Sequence, residues 1–201
     1  MDEADRQAIA EAVRRAESGT AGEIVVVIEE QASHYRSVPI VLALSLALLV
    51  PWPLMWLTMV SAPRIFLIQL IAAVLLLAGL GWRGRGGRFV PGFVKRKRAH
   101  QAALREFTMR GLARTRNRTG VLLYVARQER FAEVLADSGI EAKIDAERWR
   151  MIIEPLVKEA AAGRLTEGVI AAVGAIGAVL ADHVPAGSDD VDELPNKVIV
   201  L

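Results

Sequence analysis

The sequence predicts an α/β fold that is interrupted by a two-helix transmembrane hairpin. Three observations predict it: two continuous β-branched runs, helical spacing of apolar residues beside them, and an almost uncharged stretch over residues 37–82. The stretch takes 46 of the 201 residues. The remainder is long enough for one compact domain with a core of its own.

The uncharged stretch divides at Arg64 into residues 37–62 and residues 65–82. A helix rises about 1.5 Å per residue and a bilayer core is about 30 Å thick, so each part can span it. Pro63 lies between the two parts and is expected to interrupt the helix there. Pro51 and Pro53 leave two alternatives for the first part, because they either kink a full span or make it re-entrant.

Charge is strongly segregated along the chain. Residues 83–118 carry 12 Lys and Arg against one Glu, directly after the second apolar part. This excess predicts cytoplasmic ends, so only the tip near Arg64 crosses. The cations expected to face lipid are Arg83, Arg85, Arg88, Lys95, Arg96, Lys97 and Arg98. Contact with anionic lipid and a purely topogenic role are both compatible with this position, and nucleic acid is not an expected partner.

The soluble elements follow in order. Apolar spacing predicts a helix over residues 2–17, and the continuous run 23–29 predicts a strand buried on both faces. Beyond the apolar stretch, a basic helix is expected over 95–113 and a second buried strand over 120–126. Residues 131–137 are the expected antiparallel partner of that strand.

Two helices complete the chain. Asp145 is expected to cap one over residues 146–162, in which Pro155 predicts a kink or a later start. Thr166 is expected to cap the other, which runs to His183 and has an apolar core too short to cross a bilayer. The domain boundaries expected are 1–36 and 95–186 for the soluble domain, 37–82 for the hairpin, 83–94 for a Gly/Arg linker and 187–201 for a tail.

The strands at 23–29 and 120–126 should be parallel neighbours, joined by a right-handed crossover. They pair only when both lie on one side of the membrane. The number of crossings between them is therefore even, which agrees with the charge distribution.

The chain resembles the TPM domain family, known from the thylakoid lumen, photosystem II repair and a nematode receptor modulator. The order of several short motifs carries the resemblance over residues 1–30 and 95–186: Thr20-Ala21-Gly22-Glu23, Arg118-Thr119-Gly120, Glu129-Arg130, Gly139-Ile140-Glu141, Trp149 and the glycine-rich last helix. The resemblance implies an α/β/α sandwich with a small mixed sheet. Family members are often tethered to a membrane after a signal peptide. The acidic start of this chain predicts no signal peptide, and its anchor lies inside the domain.

Two functions are expected. The resemblance, the apolar anchor and the lack of a recognisable catalytic set together indicate a non-enzymatic adaptor in the assembly or maintenance of membrane protein complexes, held to the bacterial inner membrane and bound to lipid and to another membrane protein. The resemblance alone implies the other, a weak metal-dependent acid phosphatase. In the family an acidic residue commonly precedes the glycine of the second strand, whereas here Arg118 and Thr119 fill those positions.

Carboxylates gather where the third strand is expected to end. Asp137 and Glu141 lie there, and Glu23 begins the neighbouring first strand, so these three are the candidate metal ligands. Ca²⁺ or Mg²⁺ is the cofactor that such oxygen ligands would hold. The alternative is a solvated loop, with Asp145 serving only as a helix cap.

Aromatic residues flank the apolar stretch at both ends. Tyr35 and Trp82 are expected to anchor the chain at the membrane interface. The neighbouring His34 is better explained as part of this interface than as a catalytic base, and His100 and His183 lack a partner at metal-ligand spacing. With no cysteine, the chain can form no disulfide, thiolate metal site or cysteine nucleophile.

Overall fold

The computed structural model describes residues 1–32, 37–81, 90–115, 117–187 and 198–201. The chain divides into two compact units, Met1–Ser33 with Arg96–Leu201, and His34–Lys95. The elements in chain order are α1 (Glu3–Glu17), β1 (Glu23–Glu29), α2 (Ser37–Leu49), α3 (Pro51–Leu57), α4 (Ala62–Gly81), α5 (Gly92–Met109), β2 (Gly120–Ala126), β3 (Phe131–Ala136), α6 (Ser138–Glu141), α7 (Ala146–Ala161), α8 (Leu165–His183) and β4 (Val198–Val200).

The first unit is built on a mixed sheet with the strand order β3-β2-β1-β4. β1 and β2 are parallel, with Glu23 opposite Gly120, and β3 is antiparallel to β2. The bounds of β1 and β2 and the pairing of all three strands agree with the sequence prediction, whereas β3 ends one residue earlier than predicted. The fourth strand was not predicted, because Val198–Val200 lies in the part assigned to a tail and pairs in parallel with β1.

Helices cover both faces of the sheet. Ile24, Val26 and Ile28 of β1 pack in a core with residues of α1, α7 and α8. Val25 and Val27 face the other way, into a second core that includes Ala99, Ala102 and Ala103 of α5. Because both faces of β1 are buried, this strand is continuously apolar rather than alternating.

Several helix ends differ from the prediction. α5 ends at Met109, and Leu112 lies instead in a short 3₁₀ turn, fully buried. α7 begins after Asp145 as predicted and runs through Pro155 without a later start, but the Asp145 side chain makes no capping hydrogen bond. The prediction that Thr166 caps α8 is wrong: the helix begins at Leu165, and the Thr166 hydroxyl donates to Asp5.

The second unit contains the apolar helices α2, α3 and α4. The first apolar part is split in two, since α2 ends at Leu49 and α3 begins at Pro51. α2 and α4 contact each other. Large apolar side chains are nevertheless exposed along these helices, including Trp56 at 85% and Leu75 at 66%.

Among the residues that the structure describes, three segments are long and apolar enough to cross a membrane: Ile40–Leu57, Ala62–Gly79 and Leu165–His183. The third was predicted to be too short, and by length and composition it is not. α8 also supplies much of one core, with Val173, Ile176 and Leu180 fully buried. Which segments cross a bilayer, and in which orientation, remains a prediction.

Candidate functional site

The candidate site lies at the sheet edge where β1 and β2 begin and β3 ends. Glu23 is opposite Gly120 in the register of β1 and β2. The Asp137 backbone N–H donates to the Gly120 carbonyl over 2.9 Å. Glu23, Gly120 and Asp137 therefore form one row across three neighbouring strands, which we call the carboxylate edge.

Asp137 is the most constrained member of this edge. Its side chain is 7% exposed, and Oδ1 accepts hydrogen bonds from the Ser138 N–H (2.6 Å) and the Ser138 hydroxyl (3.2 Å). The strand ends one residue earlier than predicted because Asp137 caps α6. Within the described part of the chain, its buried Oδ2 has no hydrogen-bond partner. A buried carboxylate oxygen without a partner favours a cation or a hydrogen-bond donor beside it.

The other predicted ligands differ from Asp137 in their surroundings. Glu23 is 8% exposed, and its backbone N–H donates to the Thr119 carbonyl over 3.1 Å. Glu141 is exposed on α6. Among the described residues, no group of three or more His, Asp or Glu side chains is placed to hold a metal ion. Ca²⁺ takes six to eight oxygen ligands, so a cation at Asp137, Glu141 and Glu23 would need further ligands, and metal binding here remains a prediction.

The loop before β2 is held against α6. Gly139 donates to the Arg118 carbonyl over 3.1 Å, and a Cβ at Gly139 would lie 2.6 Å from that oxygen. Only glycine therefore permits this approach. Arg118 has φ 53, in the left-handed region that non-glycine residues rarely adopt. The resemblance expects an acidic residue just before the glycine of β2, and at this place the chain has the exposed Arg118 and the buried Thr119.

Buried polar residues also hold the start of β1, and the sequence did not single out their contacts. Thr20 is 2% exposed, accepts from the Gly22 N–H (3.1 Å) and donates to the Val184 carbonyl (2.5 Å). Glu17 Oε1 accepts from the Ile24 N–H over 2.7 Å. These bonds join the end of α1 and the end of α8 to the carboxylate edge. In the sequence, the feature that could have indicated these contacts is the position of Thr20 just before a β-branched run.

Further polar contacts lie on the α5 side of the sheet. The buried Tyr124 hydroxyl donates to the Glu29 carboxylate. Burial, that hydrogen bond and the negative charge of Glu29 raise the pKa of Tyr124 well above its usual range, so the phenol stays protonated. His100 Nδ1 lies 2.8 Å from Glu133 Oε2, which links α5 to β3. His183 Nδ1 lies 2.8 Å from the Val179 carbonyl oxygen of its own helix. Both histidines therefore make contacts that join or extend structural elements.

The predicted lipid-facing cations are only partly described. Arg96 and Lys97 are exposed on α5, whereas Lys95 and Arg98 are half-buried. Arg83, Arg85, Arg88, the interface anchors Tyr35 and Trp82, and His34 lie outside the described residues. Lipid contact remains a prediction for all of them.

Taken together, the mixed four-stranded sheet, the helices on both faces and the carboxylate edge define a small α/β domain with an apolar insertion after β1. Residues 90–179 match the family model of the TPM domain. The resemblance expected from the sequence is therefore confirmed over these residues.

One solved structure extends the comparison to the whole chain. It is the NMR structure of the BA42 protein from the psychrophilic bacterium Bizionia argentinensis, with a TM-score of 0.62 and 19% sequence identity. The match covers 100% of this chain and 95% of that chain. At this identity the likeness concerns the fold alone. No curated protein matches the chain.

Proposed function

We propose that this protein is a membrane-tethered TPM domain that acts as a non-enzymatic adaptor in the assembly or maintenance of membrane protein complexes. The observation that carries the proposal is the exposure of large apolar side chains on an insertion within the domain, Trp56 at 85% and Leu57 at 81% among them. Such side chains are unfavourable in water and favourable in a bilayer. The insertion is therefore the tether.

Strand pairing supports a tether with both ends on one side. β1 precedes the apolar helices, β2 follows them, and the two strands pair along seven residues. A chain that leaves and rejoins one folded unit crosses a membrane an even number of times. The Lys and Arg excess after the second apolar part favours the cytoplasmic face of a bacterial inner membrane.

Two partners follow from this location. Anionic lipid is the first, bound by the basic residues that begin with Arg83 and end with Arg98. Another membrane protein is the second, because an adaptor fixed at the membrane meets its partners there.

Tethering and adaptor action are tested separately. In the first experiment, residues 37–82 are replaced by a flexible Gly/Ser linker, and the variant is expected to leave the membrane fraction while keeping its fold. In the second, the tagged full chain is purified from native membranes in mild detergent, with the linker variant as control. We expect a near-stoichiometric membrane protein with the full chain alone. Recovery of the full chain without a partner would contradict the adaptor.

Orientation is tested with single cysteines, since the natural chain has none. Ser61, between α3 and α4, and Gln7, on α1, are both exposed. With an impermeant thiol reagent on intact cells, Ser61→Cys should react and Gln7→Cys should react only after lysis. Labelling of Gln7→Cys alone would reverse the proposed orientation.

A metal-assisted acid phosphatase is the second candidate function, and the buried unpartnered Oδ2 of Asp137 is the observation that favours it. The test is hydrolysis of p-nitrophenyl phosphate at acidic pH with Mg²⁺ or Ca²⁺. Activity lost in Asp137→Asn would support the phosphatase. Partner binding that survives this substitution, without hydrolysis above background, would support the adaptor.

A further inference from the structure

A second site lies at the opposite end of β3 from the carboxylate edge. There a cavity of about 250 Å³ is bounded by Glu30 just after β1, by Val125 and Ala126 at the end of β2, and by the turn before β3. The last turn of α7 and the first residue of α8 close its other side. In open α/β sheets, ligands commonly bind beyond the carboxyl ends of parallel strands, which is where this cavity lies.

The rim of the cavity is held in place by hydrogen bonds. The turn between β2 and β3 is bound to the residues after β1: Arg127 N–H donates to the Glu29 carbonyl (3.0 Å), and Gln128 N–H donates to the Glu30 carbonyl (3.1 Å). Glu129 accepts from the Ala32 N–H over 3.2 Å. A rim fixed in this way requires little ordering when a ligand binds.

One cation at the rim makes no ion pair within the described part of the chain. Arg127 pairs with Glu30 over 2.7 Å, which neutralises both charges. Arg130 lines the same cavity, is exposed, and forms no ion pair within the described part of the chain. It also has φ 51, an unfavourable conformation for an arginine. The first turn of α8 begins at the cavity with Leu165, and the positive end of a helix dipole adds to the attraction for an anion.

The interior of the cavity is apolar. Val125 and Leu156 are 3% and 1% exposed, and Leu165, which also lines the cavity, packs against the same core. Ala160 and Gly163 on the α7 side have small side chains or none, and they leave the space open. The cavity therefore combines one free guanidinium at its mouth with a short apolar interior.

We propose that this cavity binds a carboxylate attached to a small aliphatic group, with Arg130 holding the carboxylate and Val125, Leu156 and Leu165 contacting the aliphatic part. A planar guanidinium matches a carboxylate in two parallel hydrogen bonds. The C-terminus of a peptide ending in an apolar residue and a free short-chain acid share this chemistry. The site is independent of the adaptor function, because it needs neither the membrane nor the carboxylate edge.

The test uses the full chain in lipid nanodiscs and two probes. One is a fluorescent hexapeptide ending in valine, prepared as the free acid and as the C-terminal amide, and measured by fluorescence anisotropy. The other is hexanoate, added as a competitor. Saturable binding of the free acid, weakened about tenfold or more in the amide, is expected because a charge-assisted bond is lost. Displacement by hexanoate identifies the small acid as a ligand as well, and its failure to displace identifies the peptide terminus.

Two variants and a control locate the binding. Arg130→Asn removes the guanidinium but tolerates a positive φ, and it should weaken the free acid about tenfold or more without affecting the amide. Ala160→Leu should abolish binding by filling the cavity. Arg105→Asn, which removes an exposed cation on α5, should change nothing. Equal binding of acid and amide, no binding of either probe, or undiminished binding in Arg130→Asn would overturn the proposal.

Discussion

The Tyr124 hydroxyl donates a hydrogen bond to the Glu29 carboxylate across the parallel strands β1 and β2. Tyr124 is opposite Val27 in the register, so the bond runs diagonally toward the end of β1. Its ring is fully buried in the core beneath α5. The bond therefore joins the strand before the apolar insertion to the strand after it.

Tyr124→Phe should lower the free energy of unfolding by about 1–2 kcal/mol, because Glu29 loses a donor in a partly buried position. The measurement is urea denaturation near neutral pH. Glu29→Gln, which can still accept from the hydroxyl, is the control and should cost less. Equal stability of wild type and Tyr124→Phe would contradict the prediction.

The same tyrosine predicts a loss of stability at alkaline pH. The folded state raises the pKa of Tyr124, so its contribution is complete below the usual tyrosine pKa of about 10 and is lost progressively above it. Between about pH 8 and about pH 11, the free energy of unfolding should therefore decrease more in wild type than in Tyr124→Phe. In a Tyr35→Phe background, the absorbance of tyrosinate should appear only as the protein unfolds.

Two glycines of α8 should respond oppositely to alanine. A Cβ at Gly177 would lie 2.6 Å from the Ala16 Cβ of α1, whereas a Cβ at Gly174 would meet nothing within 4 Å. Gly174→Ala should stabilise by up to about 1 kcal/mol through helix propensity. Gly177→Ala should be less stable than Gly174→Ala by about 1–3 kcal/mol, since α1 and α8 are forced apart. Thermal and urea unfolding of both variants check the difference.

Asp5 should make the start of α1 sensitive to acid. The Asp2 backbone N–H and then the Thr166 hydroxyl donate to Asp5 and lower the pKa of its carboxyl. A lowered pKa stabilises the fold above the usual aspartate value, and this stabilisation is lost as the pH falls through the folded-state pKa. Unfolding free energy measured from about pH 6 to about pH 3 should fall less steeply in Asp5→Asn. The same slope in both proteins would contradict this assignment.

Two substitutions of Asp137 should show whether the fold needs its helix-capping hydrogen bond or its negative charge. Asp137→Ala removes the bond to the Ser138 N–H and should cost about 1 kcal/mol. Asp137→Asn keeps an acceptor oxygen for that bond and should cost less. Urea denaturation of the two variants provides the comparison. If both lose the same stability, the negative charge rather than the cap is what the fold needs.

Local pattern was sufficient for the strands and for the apolar insertion. The runs EIVVVIE and GVLLYVA predicted β1 and β2 with the bounds that the structure has, because a strand buried on both faces must be apolar at every position. The near absence of charge over residues 37–82, where Arg64 is the one charged residue, likewise predicted the apolar helices, and the order of short motifs indicated the TPM family. The passage of the apolar helices through a membrane, the adaptor function and the metal site are still predictions.

Long-range contacts decided the rest. β4 has only three residues, and its pairing with β1 depends on a neighbour about 170 positions earlier rather than on its own composition. Thr166 looked like a helix cap in the sequence, but it bonds to Asp5, 161 positions away. The cavity beside Arg130 likewise exists only because α7 lies against the turn between β2 and β3. Periodicity and turn chemistry act over a few residues, so the sequence by itself determined the elements; the tertiary structure decided which side chains meet, because those contacts join residues that are distant along the chain.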